Sequence, residues 1–249
     1  MIKLEYLIIL LLSTFFLKLF IKNSNKIGKF LDVLDIPKKG KIHKNITPLI
    51  GSFPILILSV AIVIYFNLFN KNLEILYIFI FSYIFFIMGY LDDRFGLNAY
   101  LKLCISIIIV LIAINSSEFL VIDNIYVQTL DRTFTLHKIK FFFTILCVLL
   151  LVNALNLMDG INGLASGFAS LWLLSLSLIS YNDPIFGLIF ILSIFMTINT
   201  FQIIRGYYFL GDSGTLFLGS LVSLSTIYIY NKKLIFGNFI ELEKIFIFL

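Results

Sequence analysis

Charge is scarce in this 249-residue chain, where 13% of residues are Asp, Glu, Lys or Arg and 60% are hydrophobic. With a mean hydropathy of +1.04, that balance excludes a soluble domain and places the chain with polytopic membrane proteins. Cysteine is almost absent: Cys104 and Cys147 both fall in apolar runs, are expected as small core residues, and imply neither a disulfide nor a metal site. The first apolar run, Leu4 to Ile21, lacks a small-residue cleavage site, so it reads as a retained spanning helix rather than a removed signal peptide. No linker or low-complexity tract divides the chain, and 1–249 reads as a single transmembrane domain.

A hydrocarbon core of roughly 30 Å needs about 20 apolar residues per helix. On that measure an all-α, polytopic helical bundle is expected, with about eight spans at 4–21, 47–69, 73–91, 99–115, 140–156, 164–181, 184–203 and 215–230. The fourth and fifth are short for a full crossing. A ninth begins at 245–249, so the chain is expected to be truncated at its C-terminus. Between the fourth and fifth spans, FLVI and IYV flank Asp123-Asn124, which predicts a small β-hairpin near 119–128 outside the bilayer.

Seven of the 19 basic residues lie between the first two spans: Lys22, Lys26, Lys29, Lys38, Lys39, Lys41 and Lys44. A loop this basic stays in the cytoplasm, which puts the N-terminus outside a bacterial inner membrane. Two spans separate this loop from Asp92-Asp93, two more lead to Asp159, and two more to Asp212. All four acidic positions then emerge on the cytoplasmic face, as a site for a metal and phosphates. The net charge of +5 suits anionic lipid or phosphate-bearing substrate, and nucleic acid is not an expected partner.

The motifs that carry chemistry are four. In Asn153 to Gly167 (NALNLMDGINGLASG), Asn153, Asn156, Asp159, Gly163 and Ser166 share one face if the stretch is one helix. The competing reading is packing, since Gly163 and Gly167 form a small-xxx-small pair. In GYLDDRFGLNAYLK, adjacent Asp92 and Asp93 repel unless they share a cation, and Lys102 can snorkel back to the same mouth. In YYFLGDSGTLFLG, Gly211 and Gly214 permit a tight turn, and Asp212 is expected to cap the following helix, whose amides favour an anion. In KKGKIHK, His43 and Lys44 suit phosphate, while a lipid anchor explains the lysines equally well. His137 reads as an outer surface residue.

Together these residues resemble the polyprenyl-phosphate N-acetylhexosamine-1-phosphate transferases. The resemblance rests on His43-x-x-x-x-Pro48-x-x-Gly51, on Asp92-Asp93 with Lys102, on Asn153-x-x-Asn156-x-x-Asp159-Gly160 through Gly163-Leu164, and on Gly211-Asp212-Ser213-Gly214. It implies an enzyme that moves a sugar-1-phosphate, most readily N-acetylglucosamine-1-phosphate or a related N-acetylhexosamine-1-phosphate, from a UDP-sugar to undecaprenyl phosphate, releasing UMP with Mg²⁺ (or Mn²⁺) as cofactor. By resemblance Asp212 binds the metal, and Asp92 and Asp93 position or deprotonate the lipid phosphate. Lys102, Asn153, Asn156, Asp159, Asn162, His43 and Lys44 contact substrate, and a homodimer is a family-level expectation. The chain departs from the family at Gly40, where many relatives carry Arg, at Ser52, which replaces the second glycine of a pair, and at Asn162, which replaces a second aspartate. The family's late histidine-rich loop has no counterpart here, so a fragment, a split gene or an inactive copy is the alternative to a working enzyme. A cation-coupled transporter is the rival of different class, but the span centres near Ile62, Phe81, Ile109, Leu174 and Ile191 are apolar and offer no ion path.

Overall fold

The computed structural model describes residues 4–37, 46–127 and 130–236. Its helices, in chain order, are α1 (Leu4–Leu31), α2 (Phe53–Asn70), α3 (Leu73–Phe95), α4 (Ala99–Ser116), α5 (Lys140–Met158), α6 (Leu164–Ile179), α7 (Phe186–Ile204) and α8 (Gly211–Ile235). Two small antiparallel pairs join β1 (Leu34–Asp35) to β2 (Thr47–Pro48) and β3 (Asn124–Val127) to β4 (Arg132–Thr135). The protein is a polytopic helical membrane protein. Among the described residues six helices are long and apolar enough to cross a bilayer, while α2 and α6 contribute shorter apolar stretches, Phe53–Leu68 and Leu164–Ile179. His43, Lys44 and the expected ninth span lie outside the described residues.

The bundle is built around α8. Its mean hydropathy is 1.3, against 1.9 to 2.4 for α3, α4, α5 and α7, yet its spanning window is 100% buried. The two facts are linked: a helix that faces protein on every side, rather than lipid, is favoured by small residues that let neighbours approach. Ser220, Ser223 and Thr226 satisfy their hydroxyls on α8's own carbonyls, at 2.9, 3.1 and 2.7 Å. Gly219 lies so close to α5 that a Cβ there would stand 2.8 Å from Val152 Cα. α3, α5 and α6 all pack on α8, and α6 also packs along α7. Outward faces remain apolar, as at Ile108, Ile112, Phe142 and Leu150, which suits lipid.

Three expectations need correction. α1 does not stop at Ile21 but runs to Leu31, carrying Lys22, Lys26 and Lys29 as exposed helical residues. The reason is a buried stripe, Leu17, Phe20, Ser24 and Gly28, that continues at helical spacing and seats Gly28 directly against Pro48. The hairpin is displaced to β3 and β4, because Phe119 to Ile122 dock on the bundle rather than pair. There Asn231 donates to the Phe119 and Val121 carbonyls, both at 2.8 Å, and the Ile122 amide donates to Thr144 at 3.0 Å. Cys104 is exposed on peripheral α4 instead of lying in the core; both Cys104 and Cys147 are free.

Candidate functional site

One end of the bundle gathers the end of α3, the start of α4, the turn between α5 and α6, and the start of α8. The first determinant is Gly89. A Cβ there would stand 2.6 Å from Asp212 C and from Ser213 Cα, so only glycine lets α3 lie against the backbone of α8's first turn. Asp93 follows one helical turn later on the same face. Its two carboxylate oxygens accept from the amides of Asp212 (2.8 Å) and Ser213 (2.9 Å), capping α8 from a different helix. Asp212 is therefore not the cap. The cap position falls on Leu210, whose side chain cannot serve, and Asp212 lies inside the first turn facing α4. Gly211, at φ +75°, is needed twice over: for its left-handed backbone, and because a Cβ would stand 2.8 Å from Asp93 Oδ2.

Asp92 and Asp93 do not work as a unit. Neighbours on a helix point about 100° apart, so while Asp93 turns to α8, Asp92 turns to α4. Asp92 Oδ1 accepts from the Leu97 amide at 2.7 Å, and Oδ2 accepts from Lys102 Nζ. Lys102 also donates to Asp212 Oδ2 at 3.2 Å, so one ammonium joins α3, α4 and α8. Asp92 is the buried member, with 6% of its side chain exposed, against 27% for Lys102 and 30% for Asp212. Lys102 is aimed by a feature the sequence reading passed over: Asn98 caps α4 through the Tyr100 amide at 3.0 Å, which starts the helix one turn before Lys102.

The polar stretch Asn153 to Gly167 is not one helix. α5 ends at Met158, Gly163 takes φ +84°, and α6 starts at Leu164, so Asn153 and Asn156 belong to α5 while Ser166 belongs to α6. Asp159, at the end of α5, faces the Gly211 amide and feels the charges of Asp212 and Asp93. Burial first, and then those two charges, push its carboxyl up to about 7, against the opposing pull of the Gly211 amide. Asn156 lies one turn before it, and Asn153 one turn earlier, bonded to the Leu149 carbonyl at 2.7 Å. Asn162 is exposed in the turn. Of the two glycines only Gly163 fits the packing reading, since it abuts Ile204; at Gly167 a Cβ would meet only Thr200 Cγ2 of α7, at 3.9 Å, so no close approach depends on it.

A further set of contacts holds the loop before α8. The Gly51 amide donates to the Phe209 carbonyl at 2.8 Å, and the Phe209 amide donates to the Pro48 carbonyl at 2.9 Å. Buried Asn199 donates to the Gly51 carbonyl at 2.8 Å and accepts from the Tyr208 hydroxyl at 2.6 Å. Ser52 shares a 2.8 Å hydrogen bond with Ser213, so the hydroxyl absent from a glycine pair joins the start of α2 to the start of α8. No sequence pattern marked Asn199, which reads as one polar residue within an apolar run.

A multi-pass bundle with an aspartate-rich mouth at a helix start, crossed by one lysine, is the class that fold and site define. The chain belongs to glycosyl transferase family 4, whose family model matches residues 75–230, a range that takes in Asp92, Asp93, Lys102, Asn153, Asn156, Asp159, Asn162 and Asp212. It is 27% identical over 215 residues to the probable undecaprenyl-phosphate N-acetylglucosaminyl 1-phosphate transferase of Bacillus subtilis, covering 83% of this chain and 58% of that protein. To the undecaprenyl-phosphate alpha-N-acetylglucosaminyl 1-phosphate transferase of Escherichia coli K12 it is 26% identical over 229 residues, covering 85% and 59%. To the phospho-N-acetylmuramoyl-pentapeptide-transferase of Lactobacillus helveticus it is 29% identical over 228 residues, covering 84% and 70%. The chain thus spans somewhat under three fifths of the length of the first two relatives.

Proposed function

We propose that the protein transfers an N-acetylhexosamine-1-phosphate from a UDP-sugar to undecaprenyl phosphate, releasing UMP, as the first membrane step of a cell-envelope polysaccharide. The observation that carries this reading is the Asp92–Lys102–Asp212 junction at the amide-rich start of α8, held in place by Asp93. Two relatives whose names carry the N-acetylglucosaminyl group favour that sugar. The site end also receives the lysine-bearing end of α1, where the Tyr90 hydroxyl donates to the Leu31 carbonyl at 3.1 Å. This supports a cytoplasmic site and an N-terminus outside the inner membrane.

The donor set suits Mg²⁺. Among the described residues no three His, Cys, Asp or Glu side chains form a metal cage. Mg²⁺ is commonly held by one or two carboxylates, with substrate phosphates and water completing the shell. Asp212 and Asp92, already sharing a cation in the form of the Lys102 ammonium, would hold it. When bound, the metal neutralises the donor diphosphate and the UMP leaving group. An oxygen of the acceptor phosphate forms a bond to the β-phosphorus as the bond from that phosphorus to the bridging oxygen breaks, and UMP departs with the bridging oxygen and its electron pair. Asp93, with both oxygens on α8 amides, positions the helix start rather than taking a proton. In this reading Asp92, Asp212 and Lys102 serve the phosphates, and Asn153, Asn156, Asp159 and Asn162 are assigned to the rest of the donor.

The test is UMP release by membranes holding the chain, given undecaprenyl phosphate, Mg²⁺ and UDP-N-acetylglucosamine, beside an Asp212→Asn control. Release that vanishes in the control supports the reading. No release from folded wild-type chain with any UDP-N-acetylhexosamine refutes it and leaves a non-catalytic member of the family.

A further inference from the structure

Lys102 occupies the ground that the reading above gives to a divalent cation. Its ammonium bonds Asp92 Oδ2 and lies 3.2 Å from Asp212 Oδ2. Mg²⁺ needs oxygens at about 2.0–2.1 Å in a near-octahedral shell, which leaves no room for an ammonium between the same two carboxylates. We propose that Lys102 is an internal counter-ion which the divalent cation displaces as substrate arrives, freeing the ammonium to bind the substrate's phosphate. The proposal rests on Asp92 and Asp212 flanking the cation site.

The surroundings permit this exchange without disturbing the frame. The α4 backbone is fixed at Lys102: its amide donates to the Asn98 carbonyl at 3.0 Å, and its carbonyl accepts from Ser106 at 2.7 Å. Only the side chain has to swing, and with 27% of it exposed it already has a route to water. Asp92 stays anchored by the Leu97 amide, and Asp93 keeps hold of the Asp212 and Ser213 amides, so the backbone that carries each of Lys102's two partners stays in place when the ammonium leaves. A divalent cation puts two positive charges where the ammonium put one, between the same two carboxylates of Asp92 and Asp212, so the exchange is electrostatically favoured. Cation and phosphate then bind with positive coupling: the cation alone must displace Lys102, whereas cation and phosphate together give the displaced ammonium a new partner.

The test is Mn²⁺ binding, followed by electron paramagnetic resonance, to the full chain in lipid nanodiscs with no nucleotide sugar present. Lys102→Met is expected to bind Mn²⁺ about tenfold or more tighter than wild type, equivalent to about 1.4 kcal/mol, because two carboxylates are left uncompensated. Lys102→Arg, which keeps the charge, should stay near wild type, and Asp212→Asn should lose binding. If wild type binds, Asp212→Asn does not, and Lys102→Met binds equally or more weakly, the counter-ion role is overturned while the cation site stands. If no variant binds, Lys102→Met included, the cation site itself fails and the proposal with it. Should Lys102→Met not be recovered folded, Lys102→Gln, an uncharged donor to Asp92, answers the same question.

Discussion

Gly89→Ala adds one methyl group and changes no polar side chain of the site, yet it should disable it. The new Cβ would press on the Asp212 carbonyl oxygen and stand 2.6 Å from Asp212 C and Ser213 Cα, where ordinary contact begins at 3.4 Å, so α3 and the first turn of α8 must part by at least about 0.8 Å. Both obstructing groups are backbone, and no rotamer change relieves them. The Asp93 bonds to the Asp212 and Ser213 amides, 2.8 and 2.9 Å long, would stretch by the same amount to about 3.6–3.7 Å, beyond hydrogen-bond reach. Overpacking costs about 1–3 kcal/mol and a lost cap about 1–2, while alanine's better helix propensity returns about 1, leaving a net loss of about 1–4 kcal/mol. The assay is thermal unfolding of the purified chain in detergent together with UMP release. Gly167→Ala is the control, since its Cβ would meet nothing nearer than Thr200 Cγ2 at 3.9 Å. If Gly89 acts through the cap, Gly89→Ala combined with Asp93→Asn should cost less than the sum of the two. A Gly89→Ala chain that unfolds and turns over like wild type would refute the close-approach argument.

The remaining expectations concern buried polar groups. Asn199→Leu leaves the Gly51 carbonyl and the Tyr208 hydroxyl without their partner, and should lower stability by about 2–4 kcal/mol in a denaturant titration, with the loop before α8 becoming sensitive to protease. At the opposite end, Lys232 is paired with Asp183 at 3.0 Å and both are largely buried. Lys232→Met should therefore cost about 3–5 kcal/mol, and adding Asp183→Asn should recover much of it, as read by unfolding midpoints. Asp159 makes the metal-free protein pH-sensitive. Its folded-state pKa of about 7 lies above the ordinary 3.8, so its contribution is fully present below about pH 4 and lost as pH rises through 7. The unfolding temperature measured in EDTA should fall from pH 6 to pH 8, and the part due to this residue should be missing in Asp159→Asn.

What the sequence could reveal depended on whether a residue's role was local. Apolar runs mark α3, α4, α5 and α7 because a helix long enough to cross a bilayer must be built mostly of apolar side chains. Span parity likewise sends Asp92, Asp93, Asp159 and Asp212 to one end, since it needs only the count of crossings. Yet the most buried helix, α8, carries one of the weakest hydropathy signals, because a protein-facing helix is selected for small residues. The Asp92-Asp93 pair shows the same limit at the site. Adjacency in sequence suggested two carboxylates sharing one cation, whereas the helical turn between them sends one to Lys102 and the other to the amides of α8. Which carboxylate does which is decided by Gly89, four residues earlier, and by the backbone of a helix more than a hundred residues later. Within one motif, therefore, the chemistry was legible from residue type, while the division of labour required the tertiary contact. The same logic makes Asp92→Asn and Asp93→Asn different perturbations: the first leaves Lys102 with a weaker partner, the second loosens α8 itself, and only the second should lower the unfolding temperature about as much as Gly89→Ala.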